Sequence, residues 1–265
     1  DEFGLTICIT HVGFECLQND IGAAIAQHQL WVCPNVAIGS MPNAYRQGGL
    51  DGFRQFAKDA EAVGRKLADA GLTFSYHNHS FEFVRFGDQT GLDIIYDESD
   101  PRYLKAELDT YWVQHGGGDV IGWIDKLAGR MPVIHFKDMV IYEGQQTMAE
   151  IGEGNLNWAA IIEACEEGGV DWYAIEQDVC QRDPFESLIS AETALLEAIE
   201  HERALRPRKP GRGFGRQQFL DAEVFRLSLD HDGLPLILSN SGPGVPASRR
   251  GPTTGKAPCR RTACS

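Results

Sequence analysis

The most constraining feature of this sequence is a regular alternation between short apolar runs and longer segments with helical spacing. Each apolar run ends in polar residues, and the polar residues include histidines, aspartates and glutamates. Strands that alternate with helices at this spacing predict a parallel α/β fold. The six runs are LTICITH (5–11), WVCPNVAIG (31–39), LTFSYHNH (72–79), LKAELD (104–109), PVIHFKD (132–138) and WYAIEQD (172–178).

Three of the intervening segments are predicted to be helices. Segment 50–71 has an apolar residue every three or four positions and ends at Gly71, as helices commonly do. Segment 157–169 has the same spacing, and segment 184–201 begins with a proline, which the first turn of a helix tolerates.

The number of repeats bears on whether the sheet can close. We count six strand–helix units, whereas a closed (β/α)8 barrel contains about eight. Either the sheet is open or the chain lacks the first two units of a barrel. Because the chain starts at Asp1 in the middle of the pattern, we predict a (β/α)8 TIM-barrel type of fold without its first two units.

Composition divides the chain near residue 203. Residues 1–202 contain 12 Lys and Arg and 34 Asp and Glu, whereas residues 203–265 contain 12 and 4. The second segment also holds seven of the twelve prolines. Such a segment buries too little apolar surface to offset its ordering entropy. We predict a catalytic domain over 1–202 and a disordered basic tail over 203–265. The alternative is an arm that binds nucleic acid or membrane.

Charge and cysteine usage narrow the class of protein. A body with a net charge of −22 is a poor match to nucleic acid, and no apolar run is long enough to span a membrane. The seven cysteines include no CxxC pair, and the chain does not start like a signal peptide. We expect a cytoplasmic protein with a small-molecule substrate and without nucleic-acid or membrane partners. A homo-oligomer is compatible with this expectation.

The polar residues at four consecutive strand ends share one face of the sheet. Side chains two positions apart in a strand point the same way, and the carboxyl ends of parallel strands carry the active site. Charged groups on an inward face need one another or a metal ion to offset their desolvation. The residues concerned are His77 and His79, Glu107 and Asp109, His135 and Lys137, and Glu176 and Asp178.

Three of these positions, together with a fourth residue from a loop, suggest a metal centre. Asp109, His135 and Glu176, with Glu82 from the loop after its strand, supply three carboxylates and one imidazole. This set suits one divalent cation: we expect Mn²⁺, with Mg²⁺, Co²⁺ and Zn²⁺ as alternatives. Taken singly, Asp109 can cap the next helix and Glu107 can be half of an ion pair.

Five segments together resemble a known family. They are YHNHSFEF (76–83), ELDTYWVQHGGGD (107–119), HFKD (135–138), GEGNLNW (152–158) and AIEQD (174–178). In this order they resemble the xylose isomerase-like TIM-barrel superfamily, and within it the sugar phosphate isomerase/epimerase family. The resemblance covers residues 5–200 and implies a barrel that begins two strand–helix units earlier.

The resemblance also implies a metal site and its chemistry. It implies one divalent ion held by Glu82, Asp109, His135 and Glu176, with the two glutamates also acting as acid and base. Of the four, Glu82 has a competitor, because His79 is near enough in sequence to replace it. An ion that binds a carbonyl and an adjacent hydroxyl acidifies the C–H between them, and an enediolate forms.

Further residues are candidates for contacts with the substrate. Lys137 can neutralise an oxyanion or a phosphate, or it can form an ion pair with Asp109 or Glu107. We expect His77 and His79 to hydrogen-bond substrate hydroxyls or to orient the carboxylate ligands, and His11 has the same position at the end of its strand. Trp112 either stacks on a sugar face or belongs to the core. Glu107 is a further candidate for a contact with substrate.

The favoured activity is therefore a metal-dependent sugar or sugar phosphate isomerase or epimerase. The first alternative is a lyase of the inosose dehydratase kind, which would use the same ligands and intermediate. The second is an endonuclease IV-like AP endonuclease, against which the acidic body argues. A third is a degenerate barrel fragment without activity.

Overall fold

A computed structural model describes residues 6–205, 225–227 and 236–238. Its twelve strands are β1 (Ile9–His11), β2 (Asn35–Ile38), β3 (Thr73–His77), β4 (Arg85–Phe86), β5 (Gln89–Thr90), β6 (Lys105–Asp109), β7 (Val133–Phe136), β8 (Asp138–Tyr142), β9 (Gln145–Ala149), β10 (Trp172–Ile175), β11 (Phe225–Leu227) and β12 (Leu236–Leu238).

The helices lie between the strands of the central sheet and on its outer side. They are α1 (Phe14–Asn19), α2 (Ile21–Trp31), α3 (Asn43–Gln47), α4 (Gly49–Asp69), α5 (Gly91–Asp97), α6 (Thr110–His115), α7 (Val120–Lys126), α8 (Trp158–Gly168) and α9 (Pro184–Leu205), with a short 3₁₀ helix at Phe81–Phe83. The predicted helices over 50–71, 157–169 and 184–201 are confirmed as α4, α8 and α9.

The central sheet has the order β1-β2-β3-β6-β7-β10-β11-β12. Its first six strands are parallel, follow one another in sequence order, and are the six strands predicted. The sheet curls into a half-barrel of the TIM-barrel type, and β1 and β12 do not pair with each other within the described residues. The predicted α/β barrel fold is therefore confirmed for residues 6–205, as an open half-barrel.

The outer face of the sheet packs against the helices. Phe74 and Tyr76 of β3 are buried against α4, where the rings of Phe56 and Tyr76 lie 5.1 Å apart. Each large apolar side chain buried in this way contributes about 1.5–3 kcal/mol to folding. The stripe predicted on α4 is confirmed as its buried face, made by Phe53, Phe56, Ala60, Val63 and Leu67.

The inner face of the sheet has an apolar layer below its polar rim. Ile9, Ala37, Val133 and Ala174 contact one another there, each from a different strand. The residues two positions further along these strands are His11, Gly39, His135 and Glu176. Strand alternation therefore places His11, His135 and Glu176 directly above apolar residues of their own strands.

Two hairpins and several short helices were not predicted. The strands of the β4–β5 hairpin have two residues each, and α1, α6 and α7 have six or seven. Elements of this length contain fewer than two helical turns or a single strand repeat, so apolar periodicity cannot identify them. The strands β8 and β9 of the second hairpin have five residues each, and β8 begins at Asp138, which the sequence pattern includes in the preceding strand.

Most of the predicted tail lies outside the described residues. In the segment 203–265 the structure describes the end of α9 and the strands β11 and β12, which add to the sheet beyond β10. The predicted disorder elsewhere in this segment stays a prediction. The five described cysteines form no disulfide. Across the described residues, no helix combines the length and apolarity required to cross a bilayer.

Candidate metal centre

A buried polar cluster lies at the carboxyl ends of β3, β6, β7 and β10. One donor atom from each of His77, Asp109, His135 and Glu176 lies within 4.8 Å of all the others. His77 Nε2 is 3.2 Å from Asp109 Oδ2, and His135 Nδ1 is 2.7 Å from Glu176 Oε2. All four side chains are buried. Two imidazoles and two carboxylates at this spacing can hold one divalent cation.

The hydrogen bonds on the far side of each imidazole determine which nitrogen faces the cluster. His77 Nδ1 donates to the carbonyl of Gly39 at 3.1 Å, which leaves Nε2 directed at Asp109. His135 Nε2 donates to Glu107 Oε1 at 2.8 Å, which leaves Nδ1 directed at Glu176. Metal-binding histidines are typically oriented by a hydrogen bond of this kind. The two rings are therefore already positioned for coordination.

Asp109 performs two roles with its two oxygens. Oδ1 accepts from the backbone N–H of Trp112 at 3.0 Å and so caps α6. Oδ2 faces the cluster. The backbone N–H of Asp109 donates to Asn78 Oδ1 at 3.0 Å. The capping role considered for Asp109 is therefore real, and it coexists with a place in the cluster.

Lys137 supplies a buried positive charge to the same carboxylates. Its ammonium is 3.1 Å from Asp109 Oδ2, 2.8 Å from Glu176 Oε2 and 2.8 Å from Asp178 Oδ2. Its side chain is 1% exposed. The ion pair considered with Asp109 is present, whereas the described contacts include none with Glu107.

Both Lys137 and a proton on His135 compensate the negative charge of the carboxylates in the cluster. Burial opposes charge on His135, but Glu107 and Glu176 outweigh it and raise the pKa of His135 to about 10. Burial also opposes charge on Glu176, yet His135 and Lys137 hold the pKa of Glu176 well below its usual range. Since a divalent ion can replace the proton of an imidazole, this donor set fits a metal ion.

Glu82 does not join this cluster. It belongs to the 3₁₀ helix, where its carboxylate accepts from the hydroxyl of Tyr76 and, at 2.9 Å, from the backbone N–H of His79. Tyr76 lies on the outer, helix-covered face of β3. The turn directs Glu82 behind the strand, and His77 occupies the fourth place in the cluster. The ligand role of Glu82 stays a prediction.

The burial of Glu82 changes its proton affinity. Desolvation raises the pKa of Glu82 to about 7, although the hydrogen bonds from Tyr76 and His79 oppose the shift. The side chain is fully buried. Its predicted acid and base role would require it to leave Tyr76.

Glu107 and His11 lie behind His135. Glu107 is fully buried, and its second oxygen accepts from His11 Nε2 at 2.6 Å. Both carboxylate oxygens are engaged with imidazoles, those of His11 and His135. The predicted contact of Glu107 with substrate stays a prediction. The side chain of His11 remains 23% exposed. Gly39 allows this approach, since a Cβ there would lie 2.9 Å from His11 Nδ1.

An aromatic wall borders the cluster. The ring of His79 lies 5.2 Å from Trp112, 6.0 Å from Phe81 and 5.0 Å from His77. Burial lowers the pKa of His79 to about 3, so the ring is neutral near pH 7. Its buried Nδ1 has no hydrogen-bond partner among the described residues. His79 and Trp112 thus form one side of the space next to the cluster.

Sequence reasoning missed the role of Asp138. Its buried carboxylate accepts from the backbone N–H groups of Met139, Gly152, Gly154 and Leu156 and from the indole of Trp158. This residue therefore holds the GEGN loop against the hairpin β8–β9. A Cβ at Gly154 would lie 2.2 Å from Asp138 Oδ1, which explains a glycine there. In the sequence, Asp138 could have been recognised as a candidate because it is a second charged residue directly after Lys137.

Comparison with known proteins supports this architecture. A family profile described as xylose isomerase-like TIM barrel matches residues 18–205. A sugar phosphate isomerase/epimerase from Parabacteroides distasonis ATCC 8503 aligns with a TM-score of 0.62 at 23% identity, over 74% of this chain and 71% of that chain. An L-ribulose 3-epimerase aligns with a TM-score of 0.52 at 20% identity, over 75% and 72%. At these identities the solved structures show the fold.

Curated relatives match about half of the chain. An inosose dehydratase from Lacticaseibacillus casei is 26% identical over 165 residues, which cover 55% of this chain and 54% of the relative. One from Geobacillus thermodenitrificans (strain NG80-2) is 23% identical over 153 residues, or 51% of each. The chain spans about half the length of the curated relatives it matches. The resemblance found in the sequence motifs is confirmed, and the chain belongs to the xylose isomerase-like TIM barrel family.

Proposed function

We propose that this protein is a divalent-metal-dependent isomerase or epimerase that acts on a sugar or polyol. The observation that carries the proposal is the buried set of His77, Asp109, His135 and Glu176 at the carboxyl ends of four neighbouring strands. Enzymes of barrel architecture place their chemistry at this end of the strands.

The proposed ligands are His77 Nε2, Asp109 Oδ2, His135 Nδ1 and one oxygen of Glu176. Mn²⁺ is the expected ion, with Mg²⁺, Co²⁺ and Zn²⁺ as alternatives, since a mixed nitrogen and oxygen set suits each of them to some degree. When bound, such an ion polarises a carbonyl and an adjacent hydroxyl and so acidifies the carbon between them.

The residues around the cluster have distinct proposed roles. Glu176 is ionised near neutral pH, because His135 and Lys137 hold its pKa low, so it can accept the proton from carbon. Lys137 balances the negative charge that develops on substrate oxygen. His79 and Trp112 pack against the sugar. We propose Glu82 as the second residue that carries a proton. In the structure its carboxylate contacts Tyr76 and His79 and lies outside the cluster.

Dehydration is the second candidate reaction. The curated relatives described above are inosose dehydratases, and the same first step serves both reactions. After Glu176 removes the proton, loss of a hydroxyl from the neighbouring carbon gives a product lighter by one water. Return of the proton gives an isomer or epimer instead.

Reaction in D₂O separates these possibilities. Ketoses and inososes are incubated with the full chain and Mn²⁺, and products are measured by mass spectrometry and NMR. An isomer or epimer carrying one deuterium supports the proposal, whereas loss of one water supports dehydration. Both activities should disappear with EDTA and in Glu176→Gln, and remain in Glu98→Gln, whose carboxylate pairs with Arg54 on α4. Absence of exchange and turnover with all substrates would contradict the proposal.

A further inference from the structure

Arg46 lies on the carboxyl-end side of the sheet, beside the proposed site. It belongs to α3, which follows the loop after β2. Its Nε donates to the carbonyl of Met41 at 2.9 Å, and its Nη2 donates to the hydroxyl of Ser40. The preceding residue of this loop, Gly39, accepts the hydrogen bond from His77. One three-residue segment therefore contacts both Arg46 and a proposed metal ligand.

A second contact ties Arg46 to the aromatic wall. The guanidinium carbon lies 3.5 Å from the centre of the Phe81 ring, and Phe81 stacks on His79. An arginine stacked on an aromatic ring loses little further entropy when it binds a ligand, because its plane is already fixed. Phe81 and His79 follow β3, so two neighbouring loops hold the guanidinium at the rim.

Within the part of the chain that the structure describes, the charge of Arg46 has no acidic partner. Across residues 6–205 it forms no ion pair with a carboxylate, although this body contains far more acidic than basic residues. Its two hydrogen bonds go to neutral oxygens. Of the five guanidinium N–H groups, three therefore remain for a ligand. A planar fork with free donors matches the two oxygens of a phosphate or carboxylate.

We propose that Arg46 binds an oxyanion on the substrate, a phosphate or a carboxylate group distant from the reacting carbons. The inference rests on the proposed function, since it assumes that the sugar lies between the metal cluster and the aromatic wall. It selects anionic sugars over neutral ones and makes Arg46 the residue that determines this specificity. Lys137 is less available than Arg46 to bind an oxyanion of the substrate, because three carboxylates surround its ammonium group.

Binding of simple anions tests the proposal without turnover. Inorganic phosphate and acetate are titrated by calorimetry into the full chain after its metal has been removed with EDTA and the EDTA has been removed by desalting. The chains compared are wild type, Arg46→Gln, Arg46→Lys and Arg54→Gln, the last being an exposed arginine on α4 that pairs with Glu98. Circular dichroism and melting temperature establish that each variant is folded. Binding to the basic segment 203–265 is common to all four chains and cancels in the comparison.

We expect wild type and Arg54→Gln to bind at least one of the two anions equally. Arg46→Gln should weaken this binding at least tenfold, and Arg46→Lys should give an intermediate value. Fructose 6-phosphate against fructose, and glucuronate against glucose, then identify which oxyanion is preferred. Equal anion binding by wild type and Arg46→Gln, or none by either, would overturn the proposal. Because no metal is present, failure of the proposed reaction leaves this result intact, and the reverse also holds.

Discussion

Glu107 accepts a hydrogen bond from His135 Nε2 at 2.8 Å, on the side of the ring opposite Glu176. The carboxylate thereby fixes the orientation of the imidazole and directs Nδ1 into the cluster. His11 holds the second oxygen of Glu107 at 2.6 Å. A carboxylate, a histidine and a metal position in this order form an arrangement that raises the basicity of the ligand.

Replacing Glu107 by Gln should therefore weaken metal binding. The amide keeps an acceptor for His135 but loses the negative charge, so we expect affinity for Mn²⁺ to fall by about 10- to 100-fold. Calorimetric titration of the EDTA-treated chain measures the change. Glu61→Gln, which alters a pair on α4 with Arg65, is the matched control. An unchanged affinity in Glu107→Gln would show that Glu107 does not support His135.

Lys137→Met should destabilise the metal-free protein strongly. Removing the ammonium leaves Asp109 and Glu176 without their buried cation, which costs about 3–5 kcal/mol in comparable buried pairs. A bound divalent ion supplies positive charge to the same oxygens, so saturating Mn²⁺ should reduce this loss. Urea denaturation with and without Mn²⁺ measures both values. A loss that is equal in the two conditions would argue against a shared site.

Glu82 should make the free energy of unfolding depend on pH between about 4.5 and 7. Its folded pKa is about 7, raised by burial from an ordinary value of 4.5. The folded state therefore keeps its proton while the unfolded state loses it, so stability falls as pH rises from 4.5 to 7, by about 3 kcal/mol in total. Above this window the contribution is constant.

The variant Glu82→Gln isolates this effect, because the amide does not titrate. Tyr76 and the backbone N–H of His79 donate to separate oxygens of Glu82, and the amide can accept one of these two hydrogen bonds. That loss is the same at both pH values and cancels in the comparison. Denaturation of the EDTA-treated chains at pH 4.5 and pH 8 is compared. The stability of Glu82→Gln relative to wild type should be greater at pH 8 than at pH 4.5. If the difference between the two chains is the same at both pH values, Glu82 is not held as the structure indicates.

The strands and their inward faces were predictable because strand alternation is a local rule. It correctly placed His77, Asp109, His135 and Glu176 on one face, since each lies in a strand or just after one. The rule fails after a strand ends. Glu82 lies in a 3₁₀ turn five residues beyond β3, where the turn geometry, unseen in the sequence, determines the direction of its side chain.

The sequence also did not predict how deep in the barrel each inward-facing residue lies. Glu107 and Asp109 share a face, but alternation does not indicate that Glu107 lies one layer lower, behind His135. Arg46 gave no signal at all, because α3 has five residues and its contacts with Phe81 join two loops distant in sequence. Contacts of this kind depend on how the loops pack together, which periodicity does not describe.

The metal content of the purified chain tests the central claim most directly. Wild type, the double variant Asp109→Asn with Glu176→Gln, and the control Glu98→Gln are incubated with Mn²⁺, desalted and measured by plasma mass spectrometry. We predict about one equivalent of a divalent metal in wild type and in the control, and none in the double variant, as expected for a single four-ligand site. A folded wild-type chain that retains no metal, or a double variant that retains as much as wild type, would contradict the account.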